Sequence, residues 1–147
     1  MSSKRILLLL SSLLVLTALA ADKPAGFGVI HLDHQKVAET FAQGGTLLTT
    51  NNFKVMALRR DKPGEVEIHD ADTDIFYVLE GSANLVIGGT ATDPRKTTSG
   101  EIRAKSINGG ESRRVTRGDV VVIPNGVPHW FNEVNGTFLY YMVKVSK

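Results

Sequence analysis

The segment Gly118-Asp119-Val120-Val121-Val122-Ile123-Pro124-Asn125-Gly126-Val127-Pro128-His129 decides how this chain folds. It has the form G-x5-P-x-G-x2-H: a short run of β-branched residues, a turn set by Pro124 and opened by Gly126, and a histidine at the start of the returning strand. A histidine held there has little rotamer freedom and is aimed into the mouth of a barrel. Taken alone it is equally well a packed, hydrogen-bonded histidine.

Upstream lies a second polar stretch, from Pro63, Gly64 and Glu65 through Glu67, His69 and Asp74 to Gly81. Glu67 and His69 are two residues apart on a predicted strand, so both side chains leave the same face. Asp74 opens the next strand of what reads as a hairpin and is directed at the same point.

Around these two stretches, short runs rich in β-branched and aromatic residues alternate with Gly, Pro, Asn and Asp turns. The predicted strands are Thr46–Thr50, Phe53–Arg60, Glu65–His69, Asp74–Glu80, Ala83–Ile87, Ile102–Ser106, Arg113–Thr116, Val120–Ile123, Trp130–Val134 and Phe138–Val145. Only one helix is signalled, over Asp33–Gln43. Asp33 is its N-cap, Leu32 and Val37 are spaced as a hydrophobic staple, and Gly44-Gly45 ends it. His31 and His34 read as polar residues at the helix start. This ratio of strands to helix predicts an all-β sandwich or barrel. Gly88 to Gly100 reads as an exposed loop able to form a lid, and Asn108-Gly109-Gly110 as a tight hairpin turn.

The first 20 residues read differently. Lys4 and Arg5 precede an apolar run from Ile6 to Ala20, and Ala18-Leu19-Ala20 supplies a cleavage pattern with Ala21 as the new N-terminus. The run is shorter than the roughly 20 apolar residues that span a bilayer, which favours a signal peptide over an anchor. Residues 1–20 are therefore read as the signal, 21–45 as a lead with the helix, and 46–147 as the β domain. Cleavage takes Lys4 and Arg5 from the 17 basic residues, leaving 15 against 15 acidic ones. A near-neutral mature chain offers no footprint for nucleic acid, and no second apolar segment for a membrane. The absence of cysteine excludes disulfides, thiolate metal sites and a cysteine nucleophile.

Together the two polar stretches resemble the paired motifs of the cupin superfamily. The second motif matches through His129, with Glu133 where the family has Asn. The first matches at His69 and Gly81, with Glu67 in place of the first His, Asp74 in place of the Glu, and Gly64 closer to the pair than the family spacing. The resemblance implies a double-stranded β-helix, or jelly-roll barrel, with a metal inside. Carried over by position, the ligands are Glu67, His69, Asp74 and His129, a set suited to Fe(II), Mn(II) or Zn(II). An alternative register takes His69 as the first His and leaves Ala71 as the second, which loses a ligand. In a metal-free reading Glu67 is a strand acid, Asp70, Asp72 and Asp74 are turn residues, and His129 belongs to the core.

Two functions remain open. One is a metal-dependent oxygenase, isomerase or lyase acting on a small oxygenated substrate, with Glu67 or Glu133 as a base. The other is a binding module for a small molecule such as a sugar or organic acid. Trp130 and Phe131 either line a pocket or belong to the core. Arg103, Arg113 and Arg114 either bind an anion or form a solvated face. Strands such as Ile75 to Leu79, apolar on both faces, need cover from the helix and from a second subunit. The exported protein, periplasmic or secreted, is expected to be a soluble homodimer of chains beginning near Ala21. Intact mass and light scattering check this; a full-length mass in the membrane fraction, or a monomer at micromolar concentration, contradicts it.

Overall fold

The structure, a computed structural model, describes residues 28–97 and 101–147. The signal segment, its cleavage point and residues 21–27 lie outside the described residues. Residues His31–Lys147 form one unit, which carries both the helix and all of the strands. Among the described residues no helix is long and apolar enough to cross a membrane.

Helix α1 spans His34–Gln43. The Asp33 carboxylate accepts from the Lys36 N–H at 2.9 Å, satisfying one of the donors a helix start leaves free. Gly44 ends the helix with φ 73°, and its N–H donates to the Thr40 carbonyl at 2.8 Å. The half-buried Phe41 sets its ring 4.9 Å from Tyr141, so the apolar stripe of α1 covers part of the outer sheet.

Eleven strands follow: β1 Gly45–Thr49, β2 Phe53–Arg60, β3 Val66–Ile68, β4 Asp72–Ile87, β5 Thr90–Thr92, β6 Arg95–Lys96, β7 Ile102–Ala104, β8 Ser106–Asn108, β9 Glu111–Thr116, β10 Val120–Ile123 and β11 His129–Ser146. The long strands β4 and β11 run antiparallel to each other and organise the rest. In its first half β4 pairs with β10, in its second with β9. The end of β11 pairs with β2, which carries β1, and its start pairs with β3, which carries β7 and then β6. Strands β5 and β8 form a separate pair. The all-β jelly-roll expectation is met.

Four sequence expectations are corrected. Asp74–Glu80 and Ala83–Ile87 are one strand, as are Trp130–Val134 and Phe138–Val145, because bends at Gly81 and at Asn135 to Leu139 turn the chain without ending its pairing. The bends face each other, and Gly81, at φ 74°, sits against the Thr137 carbonyl. Strand β3 does not form a hairpin with β4; it pairs with β7 and β11. The stretch from Gly88 contains β5 and β6. Asn108-Gly109-Gly110 does turn the chain, with both glycines at positive φ, but joins strands that pair elsewhere, β8 to β5 and β9 to β4.

The core lies along the inner faces of the two long strands. Phe76 and Val78 of β4 and Phe138, Tyr140 and Met142 of β11 point inward at alternate positions, joined by Leu85, Val115, Ile123 and Phe131. Continuing the same alternation by one step brings a charge inside on each strand: Asp74 on β4 and, directly opposite it in register, Lys144 on β11. On the outer face Tyr77, Val120 and Val122 stay exposed. The Gly81→Ala variant is expected to lose about 3 kcal/mol or more in urea denaturation, because a Cβ would stand 2.2 Å from the Thr137 oxygen at a left-handed φ. A loss under about 1 kcal/mol would mean that the paired bends are not under tight constraint.

Candidate metal centre and barrel mouth

The turn between β10 and β11 fastens the two polar stretches together. The Gly126 N–H, at φ 79°, donates to the His69 carbonyl at 2.8 Å, and the Asn125 amide donates to the Asp70 carbonyl at 3.2 Å. His129 then starts β11 directly opposite Glu67 of β3. It is thus a neighbour of Glu67 in the sheet.

Both imidazoles are 4 % exposed and Asp74 is 0 % exposed. Glu67, His69 and His129 each bring a donor atom within 4.8 Å of the other two, a group able to hold a metal ion. His69 Nε2 lies 3.6 Å from Glu67 Oε2 and 3.2 Å from Asp74 Oδ2, and His129 Nε2 lies 3.7 Å from the same Asp74 oxygen. Ligand bonds near 2.1 Å keep donors about 3 to 4 Å apart, so Glu67, His69 and His129 suit one ion with small adjustments, while Asp74, beside both imidazoles, lies outside that group of three and is paired with Lys144.

Hydrogen bonding supports that fit. His129 Nδ1 is 3.1 Å from the Val127 carbonyl, which can only accept, so in the neutral ring Nδ1 carries the proton and Nε2 presents a lone pair. His69 Nδ1 is 3.2 Å from Glu101 Oε1. Despite their close approaches, neither ring nitrogen of His69 makes an aligned hydrogen bond, while Asp74 has Lys144 as its one close cationic partner. Buried polar atoms without aligned partners are costly, and a cation among them would satisfy several at once.

Three cations flank the group. Arg103 Nη1 contacts Glu67 Oε2 at 2.7 Å while its Nη2 holds Glu101 at 2.6 Å. Arg60 donates to Glu67 Oε1 at 3.0 Å and to the Tyr140 hydroxyl at 2.8 Å, with its guanidinium 5.0 Å from the Phe131 ring centre. Lys144 Nζ is 2.9 Å from Asp74 Oδ1 and 3.8 Å from Glu101. Burial would raise both acids, but it is outweighed. The Arg103 hydrogen bond and the two guanidinium charges hold Glu67 below its ordinary range, and His69 and Lys144 do the same for Asp74. Burial lowers His129, and the opposing pull of Val127 and Glu67 does not restore it. Beside the group opens a cavity of about 310 Å³ whose walls include Met56, Tyr140, Arg60 and Arg103, and which shares Glu67, Glu101 and Lys144 with the cluster.

The remaining sequence candidates fall elsewhere. A bulge between Phe131 and Glu133 in β11 turns Glu133 outward, opposite Asn84, where it is exposed and joined to the cluster by no hydrogen bond or ion pair. Phe131 belongs to the core, and the Trp130 indole N–H is fixed to the Gly64 carbonyl at 2.8 Å. Arg113 pairs with Glu111 and Arg114 with Ser82, away from the mouth, and His31 and His34 are exposed. Sequence reasoning missed Glu101, Lys144 and Arg60. For Lys144 a signal existed: Phe138, Tyr140, Met142 and Lys144 follow one another at period two.

Residues 48–147 match the Cupin family. The chain is a cupin. No curated protein sequence matches it. Among solved structures, this cupin resembles BH2720 from Bacillus halodurans, at 16% identity and TM-score 0.55, over 86% of this chain and 85% of that one. It also resembles KdgF from Halomonas sp., at 16% identity and TM-score 0.51, over 71% and 79% of the two chains. The DMSP lyase DddQ from Ruegeria pomeroyi matches at 16% identity and TM-score 0.50, over 71% of this cupin and 46% of the lyase. At such identities the shared feature is the fold.

The lowered His129 has a consequence for stability. With its folded value below the ordinary 6.5, the folded state binds fewer protons than the unfolded chain just below that pH. Its contribution is present above about 6.5 and is lost as pH falls through the folded value. Chelator-treated protein is expected to show a falling urea midpoint from about pH 6.5 downward, with a shallower fall in His129→Gln. A midpoint that rises over that range would show that His129 is charged in the folded state.

Proposed function

We propose that this cupin is exported and holds one divalent ion at Glu67, His69, Asp74 and His129, as a metal-dependent enzyme acting on a small oxygenated substrate. The observation that supports it is the convergence of His129 Nε2, His69 Nε2 and a Glu67 carboxylate oxygen in one group, with the buried Asp74 carboxylate beside both imidazoles. A bound ion would supply Lewis acidity or an oxygen-binding centre, which suits oxygenase, isomerase or lyase chemistry. Two His with two carboxylates suit Fe(II), Mn(II) or Zn(II), and the carboxylate share leans towards the harder ions.

Around that ion the chain's own groups divide the work. Val127 orients His129, Glu101 lies against His69 Nδ1, and Arg60 holds the Glu67 carboxylate while Arg103 competes with the ion for it. Glu67, lowered by the two guanidinium groups, is a better ligand than proton acceptor. Glu133, exposed on β11 and joined to the cluster by no hydrogen bond or ion pair, has no part in this proposal. In the assembly we propose, two copies meet on the outer face bearing Tyr77, Val120 and Val122, and light scattering of the purified protein tests it.

A second reading, a binding module without metal, draws support from the pairing of Arg103 with Glu67 and Lys144 with Asp74, which neutralises both acids without an ion. Elemental analysis separates the two readings. Wild-type protein is expected to carry about one divalent ion per chain and His129→Ala none. The variant should also lose about 2 kcal/mol in the metal-free state, since a buried ring is removed. Equal metal in both proteins, or none in either, would favour the binding module.

A further inference from the structure

The cavity beside the cluster carries more charge than it needs once an ion is present. Its cations are Arg60, Arg103 and Lys144, and the acids they contact are Glu67, Asp74 and Glu101, three of each sign. With neutral imidazoles the mouth is balanced as it stands. A divalent ion on Glu67 and Asp74 would leave two positive charges in excess, in a site where Lys144 is 7 % exposed and water screens poorly. The same ion would draw on the carboxylate oxygens that now hold the cations. Arg103 Nη1 shares Glu67 Oε2 with His69 Nε2, and Lys144 shares Asp74 with both histidines. Donors released in this way face the cavity.

We infer that the mouth takes a small organic acid bearing two negative charges, held by Arg103 and Lys144 next to the ion. This rests on the metal reading above and specifies its substrate class. The volume of about 310 Å³ lies at the small end of ligand pockets, which suits a small acid. Arg103 is the better grip, because its planar fork already engages two carboxylates, Glu67 and Glu101, and can exchange one of them for a ligand's. Arg60 is the poorer one, since Tyr140 and the Phe131 ring hold it in place. A neutral sugar or polyol would leave the excess charge uncompensated, so charge is the basis of selection.

The test uses the mature protein loaded with Mn(II), with metal content read by elemental analysis and binding read by calorimetry. Malonate is expected to bind at least about tenfold tighter to the loaded protein than to the metal-free one, and 1,3-propanediol of similar length to show no saturable binding. Arg103→Gln is expected to keep its metal, since a cation competing for Glu67 has been removed, and to bind malonate at least about tenfold more weakly. Arg103→Lys should recover part of that loss. If the wild type takes up metal but binds the diol as well as malonate, or binds malonate equally with and without metal, the inference fails and the metal site stands. If Arg103→Gln binds malonate as tightly as the wild type, or loses its metal, Arg103 serves only to hold Glu67 and the inference is overturned. If the wild type takes up no metal, the metal reading fails, and this inference fails with it.

Discussion

A fully buried carboxylate sets the terms for this fold. Asp74 sits at the end of the inner face of β4, one alternation beyond Phe76 and Val78, with no surface exposed. An uncompensated charge there would cost several kcal/mol, a large part of what a domain of this size has to spare. Compensation comes from every side: Lys144 from the opposite position on β11, His69 from the end of β3, and His129 from the start of β11. Each of these side chains is itself buried or nearly so and has few other partners. The cluster is therefore interdependent, and removing one member leaves a buried charge or a buried lone pair behind.

The backbone that holds the cluster is local and economical. One turn, Pro124 to Gly126, ties the His69 carbonyl to the Gly126 N–H and delivers His129 two residues after the Val127 carbonyl that fixes its tautomer. The long strands then carry apolar side chains inward for most of their length and charged ones only at the mouth. That gradient keeps the apolar core dry and confines the costly polar atoms to a single region beside a cavity. Chemistry and stability are thus drawn from different stretches of the same two strands, β4 and β11.

Much of this was legible in the sequence, and the parts that were not share a physical cause. The G-x5-P-x-G-x2-H segment announced a strand, a turn and an aimed histidine because Pro and Gly act on the backbone locally. Asp33 announced its helix for the same reason, through a cap that involves three residues. Glu67 and His69 were set on one face by strand alternation, and Asp74 was set beside them by a hairpin that does not form: period two says which face a residue takes and nothing about which strand lies alongside. Likewise the bends at Gly81 and Asn135 to Leu139 read as strand ends, because a glycine in a strand pattern marks a bulge and a turn equally. Glu133 entered by its motif position alone, which is blind to the one-residue bulge that sets it on the outer face. Lys144 and Arg60 were passed over because a charge at the end of an apolar run is usually solvated, and Glu101 because it follows a polar stretch; only the structure brings these three together at the mouth.

Anomalous diffraction at the metal edge, from crystals of the mature protein loaded with Mn(II), tests the central claim most directly. One peak per chain is expected, bound by Nε2 of both His69 and His129 and by carboxylate oxygens of Glu67 and Asp74, with Nδ1 of His129 still on the Val127 carbonyl. A peak elsewhere, ligation through Nδ1, or a site in which Lys144 and Arg103 keep their acids and no ion enters would contradict it.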